Sequence, residues 1–242
     1  MELITSKLLE VPHGFPTREG GVSTGVWASL NAGSAVGDAP EAVALNLGLL
    51  AAAAGVEDDR LFGVTQVHGE RVVEAPIGAQ TEADAIWTGR AGDAVGVRTA
   101  DCVPLLLVDP VGQRVAAVHA GWKGTLAQIA ARTVEALARA GSRPADLRAA
   151  IGPSIGPCCY AVGEDLIARF AERFPSGICV RRPAGPFLDL PLAVQTTLMR
   201  AGVPAAQIDP LGLCTACDPR FFSHRRDRGL TGRHFSFVAC RF

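Results

Sequence analysis

The run Leu105-Leu106-Leu107-Val108-Asp109-Pro110-Val111-Gly112-Gln113-Arg114-Val115-Ala116-Ala117-Val118 decides the fold class. Two apolar stretches, Leu105 to Asp109 and Val115 to Val118, flank a segment whose Pro and Gly favour a tight reversal, so they pair as an antiparallel hairpin. With the turn centred on Val111 and Gly112, Pro104 faces His119 and Cys102 faces Gly121. Cys102 and His119 then share a face as diagonal neighbours, roughly 7 to 8 Å apart. A one-residue slip would send them to opposite faces.

Working outward, helices and strands alternate without the regular rhythm of βαβ units. Glu41 to Ala54, stopped by Gly55, reads as a helix. So does the stretch from Thr125, a plausible N-cap, to Gly141, a plausible C-cap, with Leu126, Ile129, Ala130, Thr133, Val134 and Leu137 on one face. Glu164 to Phe174 and Leu192 to Ala201, the latter behind Pro191, complete the expected helices. Strands are expected at Leu61 to Val67, Arg71 to Glu74, Ala94 to Arg98, Leu147 to Ile151 and His234 to Phe242. His13 to Gly37, rich in Gly and Pro, reads as a structured loop or edge region. The class is α+β: one domain over residues 1–242, with mixed, largely antiparallel sheets layered with helices.

Composition narrows the function. With 48% hydrophobic and 19% charged residues and a net charge of -1, the chain is neither disordered nor suited to a broad nucleic-acid face. No apolar run approaches the ~18 residues of a membrane span. Met1 to Val11 has no secretory-signal pattern, so a cytoplasmic location is expected. Seven cysteines, an odd number, are expected as reduced thiols. Lys7 and Lys123 are the only lysines, which lowers the weight of any single arginine as a clue.

Three segments pair a metal-capable side chain with a strand end: Thr65-Gln66-Val67-His68-Gly69, Thr99-Ala100-Asp101-Cys102-Val103-Pro104 and Val118-His119-Ala120-Gly121-Trp122. A thiolate and two imidazoles suit Zn or Cu, and three protein ligands leave a fourth position open for chemistry. The same residues also fit a Cys-His nucleophile pair or, singly, ordinary core packing. Cys214-Thr215-Ala216-Cys217 lacks a second pair at finger spacing and is expected to hold no metal, and Cys158-Cys159 are expected as reduced packing or pocket-wall residues. His13, His224 and His234 have no partner spacing, and His224 is expected at most to line the pocket.

Phe15-Pro16-Thr17-Arg18-Glu19-Gly20-Gly21-Val22-Ser23, Ser29-Leu30-Asn31, the three segments above, Ile151-Gly152-Pro153-Ser154-Ile155-Gly156-Pro157-Cys158-Cys159-Tyr160 and Phe221-Phe222-Ser223-His224-Arg225-Arg226-Asp227 together resemble the successive signatures of the YfiH family. These are laccase-domain or multicopper polyphenol oxidase proteins, also described as purine nucleoside phosphorylases. The resemblance spans about Pro12 to Gly232. It implies an α+β fold shared with cysteine hydrolases of the cytotoxic necrotizing factor type, and a metal, usually zinc, on His68, Cys102 and His119. It further implies phosphorolysis of adenosine, inosine and methylthioadenosine, with adenosine deamination beside it.

For that chemistry Arg18 and Ser23, in a Gly-rich segment able to form an anion nest, are candidates for phosphate, with Arg225 and Arg226 as a second cluster. Asp101 or Asp84 is the candidate acid/base carboxylate, and Gln66 would hold base or water. Asn31, Asp84 and Lys123 complete the candidate substrate contacts. Purine nucleosides and phosphate are the expected partners of a monomer or small homo-oligomer. A copper polyphenol oxidase, or a Cys102 hydrolase editing cell-wall precursors, are the alternative readings.

Overall fold

The computed structural model describes residues 1–78, 80–174 and 176–242. The deciding hairpin forms from β7 (Val103–Asp109) and β8 (Arg114–Ala120), with Pro104 opposite His119 as expected. All of β7 is buried because both its faces are covered, which explains an unbroken apolar run where a half-exposed strand would alternate.

The hairpin lies inside a six-stranded sheet ordered β12 (Ile208–Pro210), β9 (Arg148–Ile151), β7, β8, β5 (Ala85–Thr88), β4 (Val72–Glu74). Its central pairs are antiparallel, while β12–β9 and β4–β5 at the edges are parallel. A five-stranded sheet follows the order β1 (Leu3–Ile4), β2 (His13–Pro16), β13 (His234–Ala239), β6 (Ala94–Thr99), β3 (Leu61–Gly63), in which only β3–β6 is parallel. A separate hairpin joins β10 (Cys179–Arg182) and β11 (Gly185–Leu188).

The pleat sorts these strands into four layers. Leu106, Val108 and Ala117 of the larger sheet meet Phe15, Val95, Val97 and Val238 of the smaller one. The alternate residues Leu105 and Leu107 pack on α3 (Ile129–Arg139), α4 (Glu164–Arg173) and α5 (Leu190–Arg200). Phe235 and Phe237 pack on α1 (Pro40–Ala54). Each fully buried Leu or Phe contributes about 1.5–3 kcal/mol of transfer free energy, so the sandwich rigidly holds the loops at its strand ends. The fold is α+β with mixed sheets. Among the described residues no helix is long and apolar enough to cross a membrane.

Three expectations are corrected. His13–Pro16 is not a loop or edge but an interior strand with all residues buried; Pro16, at its end, needs no ladder donor. The helix from Thr125 to Gly141 is in fact α2 (Trp122–Leu126) and α3, broken at Gln128, whose φ of 66° is left-handed. Gly121 is the N-cap, and Thr125 lies inside α2 with its N–H on Gly121 O at 2.8 Å. The six residues expected on the inner face are all buried nonetheless. The strand expected over Leu61 to Val67 ends at Gly63, where the chain turns toward the site.

Candidate active site

Three loops at one end of the sandwich converge. His68 follows β3, Cys102 sits between β6 and β7, and His119 lies near the end of β8. His68 Nε2 is 4.0 Å from Cys102 Sγ, the two imidazoles meet edge-on with centroids 4.8 Å apart, and one donor atom from each residue lies within 4.8 Å of the others. His119 is buried, Cys102 half-buried and His68 exposed, so the cluster opens to one side. Gly121 closes the other: a Cβ there would stand 3.1 Å from both Cys102 Sγ and His68 Cδ2. The donor set and spacing fit a tetrahedral Zn or Cu ion with one free position.

Asp84 organises two of the three donors. His119 Nδ1–H donates to Asp84 Oδ1 at 2.7 Å, which leaves Nε2 as the basic nitrogen. The same carboxylate accepts the backbone N–H groups of Val67, His68 and Gly69 at 3.3, 3.0 and 2.6 Å. These bonds hold His68 at a left-handed φ of 59°, a strain of order 1–3 kcal/mol for a non-glycine residue. Asp101, at φ 87°, is pinned likewise: Thr215 Oγ1 donates to its Oδ1 and the Arg225 N–H to its Oδ2, both at 2.6 Å.

Electrostatics follow from this packing. Burial pushes the Asp84 carboxyl up, but the His119 and backbone donors pull it below its ordinary value. Burial likewise opposes ionisation of Cys102, yet the charge of His119 and hydrogen bonds from both imidazoles bring the thiol down to about 6. His119 rises to about 9 against its own burial, drawn up by Cys102 and Asp84. Both shifts favour the charged forms, thiolate and imidazolium, each group stabilising the other. Burial, with the charges of Cys102 and Asp101, pushes the Tyr160 phenol up to about 12, keeping it a hydrogen donor.

The cluster forms part of the wall of a cavity of about 650 Å³, which also displays Gln66, Arg98, Asp101, Tyr160, His224, Arg225 and Arg233. Of the arginines proposed from the sequence, Arg225 lines this cavity. Arg18 does not: its Nε donates to Ala28 O at 2.6 Å and its guanidinium stacks on Phe222, away from the cavity wall. Ser23 is buried against Asp38 and Asn46. Arg226 is spent on Asp227 and the carbonyls of Thr215, Asp218 and Phe221. Lys123 is exposed beside Trp122.

Asn31 shapes the wall without lining it, accepting the N–H groups of Gly33 and Arg233 on Oδ1. Gln66 lines the cavity, but its amide forms a two-way bridge with the Arg98 backbone at 2.7 Å each way, which makes it a brace before it is a ligand. Asp84, enclosed behind His119, is a positioning residue rather than a substrate contact. Sequence reasoning missed Arg98, Arg233 and Tyr160. The available signal was position: Arg98 ends an expected strand and Arg233 immediately precedes another.

Fold and site together define a class, four-layered α+β domains with a Cys-His-His centre in the wall of a cavity that also displays three arginines. The model of the family described as multi-copper polyphenol oxidoreductase laccase matches residues 12–241, and the chain belongs to this laccase-domain, or YfiH, family. A protein of Deinococcus radiodurans named purine nucleoside phosphorylase is 41% identical over 98% of this chain and 92% of its own. The crystal structure of YlmD from Geobacillus stearothermophilus superposes with a TM-score of 0.89 at 35% identity, covering 95% of this chain and 92% of that one. Bacillus licheniformis YfiH gives 0.88 at 36%, covering 94% and 91%.

Proposed function

We propose that the chain is a metal-dependent purine nucleoside phosphorylase, converting adenosine, inosine or methylthioadenosine and phosphate to the free base and the sugar 1-phosphate. Adenosine deamination is a side activity, and the protein works in the cytoplasm as a monomer or small homo-oligomer. The observation that carries this reading is one cavity with a three-donor centre on one wall and Arg98, Arg225 and Arg233 around it. The names borne by relatives such as the Deinococcus protein support it.

His68, Cys102 and His119 would hold zinc, or copper, which when bound supplies Lewis-acid polarisation. The arginines bind phosphate. Each guanidinium carries five N–H donors, and Arg98 gives its Nε–H to Ala32 O, Arg225 and Arg233 their Nη1 groups to backbone carbonyls, so donors remain for an anion. Phosphate oxygen forms its bond to the sugar C1′ as the bond from C1′ to the purine nitrogen breaks. The Tyr160 O–H, protonated at neutral pH, donates to the departing base. Asp101, the one carboxylate lining the cavity among the described residues, remains the acid/base group for deamination.

Incubation with adenosine and phosphate should release adenine and ribose 1-phosphate at a rate that saturates with phosphate. A phosphate-independent rate overturns the assignment.

Multicopper oxidation finds little support in the histidines. His13 is buried with both ring nitrogens engaged by backbone groups, His234 is buried with its Nε2 accepting the Phe222 N–H, and among the described residues only His68 and His119 join the cluster. Oxidase turnover tracking copper content alone would revive it. The Cys102–His68 pair favours a second reading, a cysteine hydrolase akin to the necrotizing-factor type. Chelator-insensitive activity, lost on alkylation of Cys102, would establish that instead.

A further inference from the structure

Beside the cavity, two loops meet with a second set of soft donors. Cys158 and Cys159 lie in the tight turn beyond β9, where the Cys159 and Tyr160 N–H groups return to Gly156 O, and Cys214 and Cys217 follow β12. Cys217 Sγ is 3.4 Å from Cys158 Sγ and 3.3 Å from Cys159 Sγ, and all four sulfurs, free thiols, lie within 4.8 Å of one another. The expectation that the Cys214-Thr215-Ala216-Cys217 segment stands without partners is therefore corrected: its missing pair is supplied by the adjacent cysteines.

We propose that Cys158, Cys159, Cys214 and Cys217 bind one thiophilic divalent cation of the zinc class as a closed tetrathiolate, distinct from the centre at His68, Cys102 and His119. Tetrahedral coordination with Zn–S near 2.3 Å sets the sulfurs about 3.8 Å apart, within the spread observed here. The C-x-x-C segment has the amide support such thiolates use: the Gly156 N–H points at Cys214 Sγ at 3.3 Å. A tetrathiolate around a divalent ion carries a charge of about −2. Arg182, whose Nη1 donates to Cys158 O at 3.4 Å, stands by to balance it.

Disulfide pairing fits less well. Cys217 is equally close to both adjacent cysteines, so any single bridge leaves two thiols stranded, and a bridge between neighbours in sequence is strained. Cys158 and Cys217 are exposed, and a cleft of about 360 Å³ reaches Cys158 and Cys214, which gives an ion a way in.

The site closes four donors and leaves no position for substrate, so its role is to clamp. Thr215 N–H donates to Ser154 O, and Thr215 Oγ1 to Asp101. Ile155 N–H reaches Asp101 O, and Tyr160 follows the cysteine pair directly. Joining the two loops thus fixes the wall that carries Asp101 and Tyr160.

The test begins with the full chain carrying Cys102→Ser, which removes the only thiolate of the other centre. Titrated with Co2+ under reducing conditions, it should take one equivalent with the intense near-ultraviolet sulfur-to-cobalt charge-transfer bands of a tetrathiolate, bleached by one equivalent of Zn2+. In the otherwise unchanged chain, Cys214→Ser with Cys217→Ser should lower bound zinc by one per chain in elemental analysis. Cobalt bound without those bands, or zinc content unaltered by the paired substitution, overturns the proposal. So does peptide mapping that finds Cys217 bridged to Cys158 or Cys159 in protein purified with zinc. If the paired variant does not fold, the cobalt spectrum of the Cys102→Ser chain decides alone, and it is independent of whether phosphorolysis is observed.

Discussion

The centre at His68, Cys102 and His119 and the cluster at Cys158, Cys159, Cys214 and Cys217 draw on similar soft donors, yet their surroundings differ in every respect that matters for chemistry. The first has three donors, a buried carboxylate behind one imidazole and a cavity in front. The second has four donors at a junction of loops, supported by the Gly156 N–H. An incomplete donor set beside a charged cavity can act on a ligand, whereas a complete one can only hold chain together.

Cys102→Ser should break the contrast most severely. Several kcal/mol of charge stabilisation disappear with a metal ligand, so kcat/KM for phosphorolysis should fall roughly 10³-fold, read from steady-state rates alongside metal content. Asp84→Asn keeps the ligands but disturbs their orientation, and metal affinity or activity should drop 10–100-fold, measured by competition with a chelator; unaltered affinity would remove Asp84 from its positioning role. Arg233→Ala should raise the phosphate KM roughly 10- to 100-fold with less effect on kcat, the loss of a charge-assisted hydrogen bond of ~1.5–3 kcal/mol. Arg18→Ala should leave that KM unmoved, and phosphate saturation curves of the two variants test the reassignment.

At the thiol cluster the effect should be seen in stability. Removing a cross-link between distant segments costs about 2–3 kcal/mol, so Cys214→Ser with Cys217→Ser should lower Tm by about 5–10 °C while reducing kcat/KM far less than Cys102→Ser.

The last effect concerns pH. Burial and the nearby charges of Arg18, Arg233 and Arg226 lower His234 to about 3, and burial also lowers His13. Between the ordinary histidine value and pH 3 the unfolded chain takes up a proton at His234 that the folded chain refuses. Stability therefore falls as pH falls through that window, by at most about 1.4 kcal/mol per pH unit per proton. Urea unfolding at pH 4 to 7 should show a shallower slope for His234→Gln than for the parent chain.

The hairpin and the triad were legible because both depend on local order. Pro110 and Gly112 set a turn, the turn sets a register, and the register places Cys102 and His119 on one face. Helix α3 was legible for the same reason, its inner face being periodic. His13–Pro16 was not, since Gly14 and Pro16 hide a strand whose burial depends on Leu3 and Phe237 closing over it. The four-cysteine cluster was invisible because its halves come from loops brought together by the parallel pairing of β9 with β12 and the Ser154–Cys214 bridge that continues it. Arg98 and Arg233 were lost among many arginines, where position in the fold rather than residue type marks the ones that face the cavity.

Because one carboxylate holds both the ring of His119 and the backbone around His68, these two donors cannot drift independently over evolutionary time. Substitutions at Asp84 and at either donor should show strong epistasis, each erasing much of what the other would have done. A lineage that abandons the metal would be expected to lose all three residues together, so their joint absence in a relative marks a change of chemistry rather than a tolerated variation.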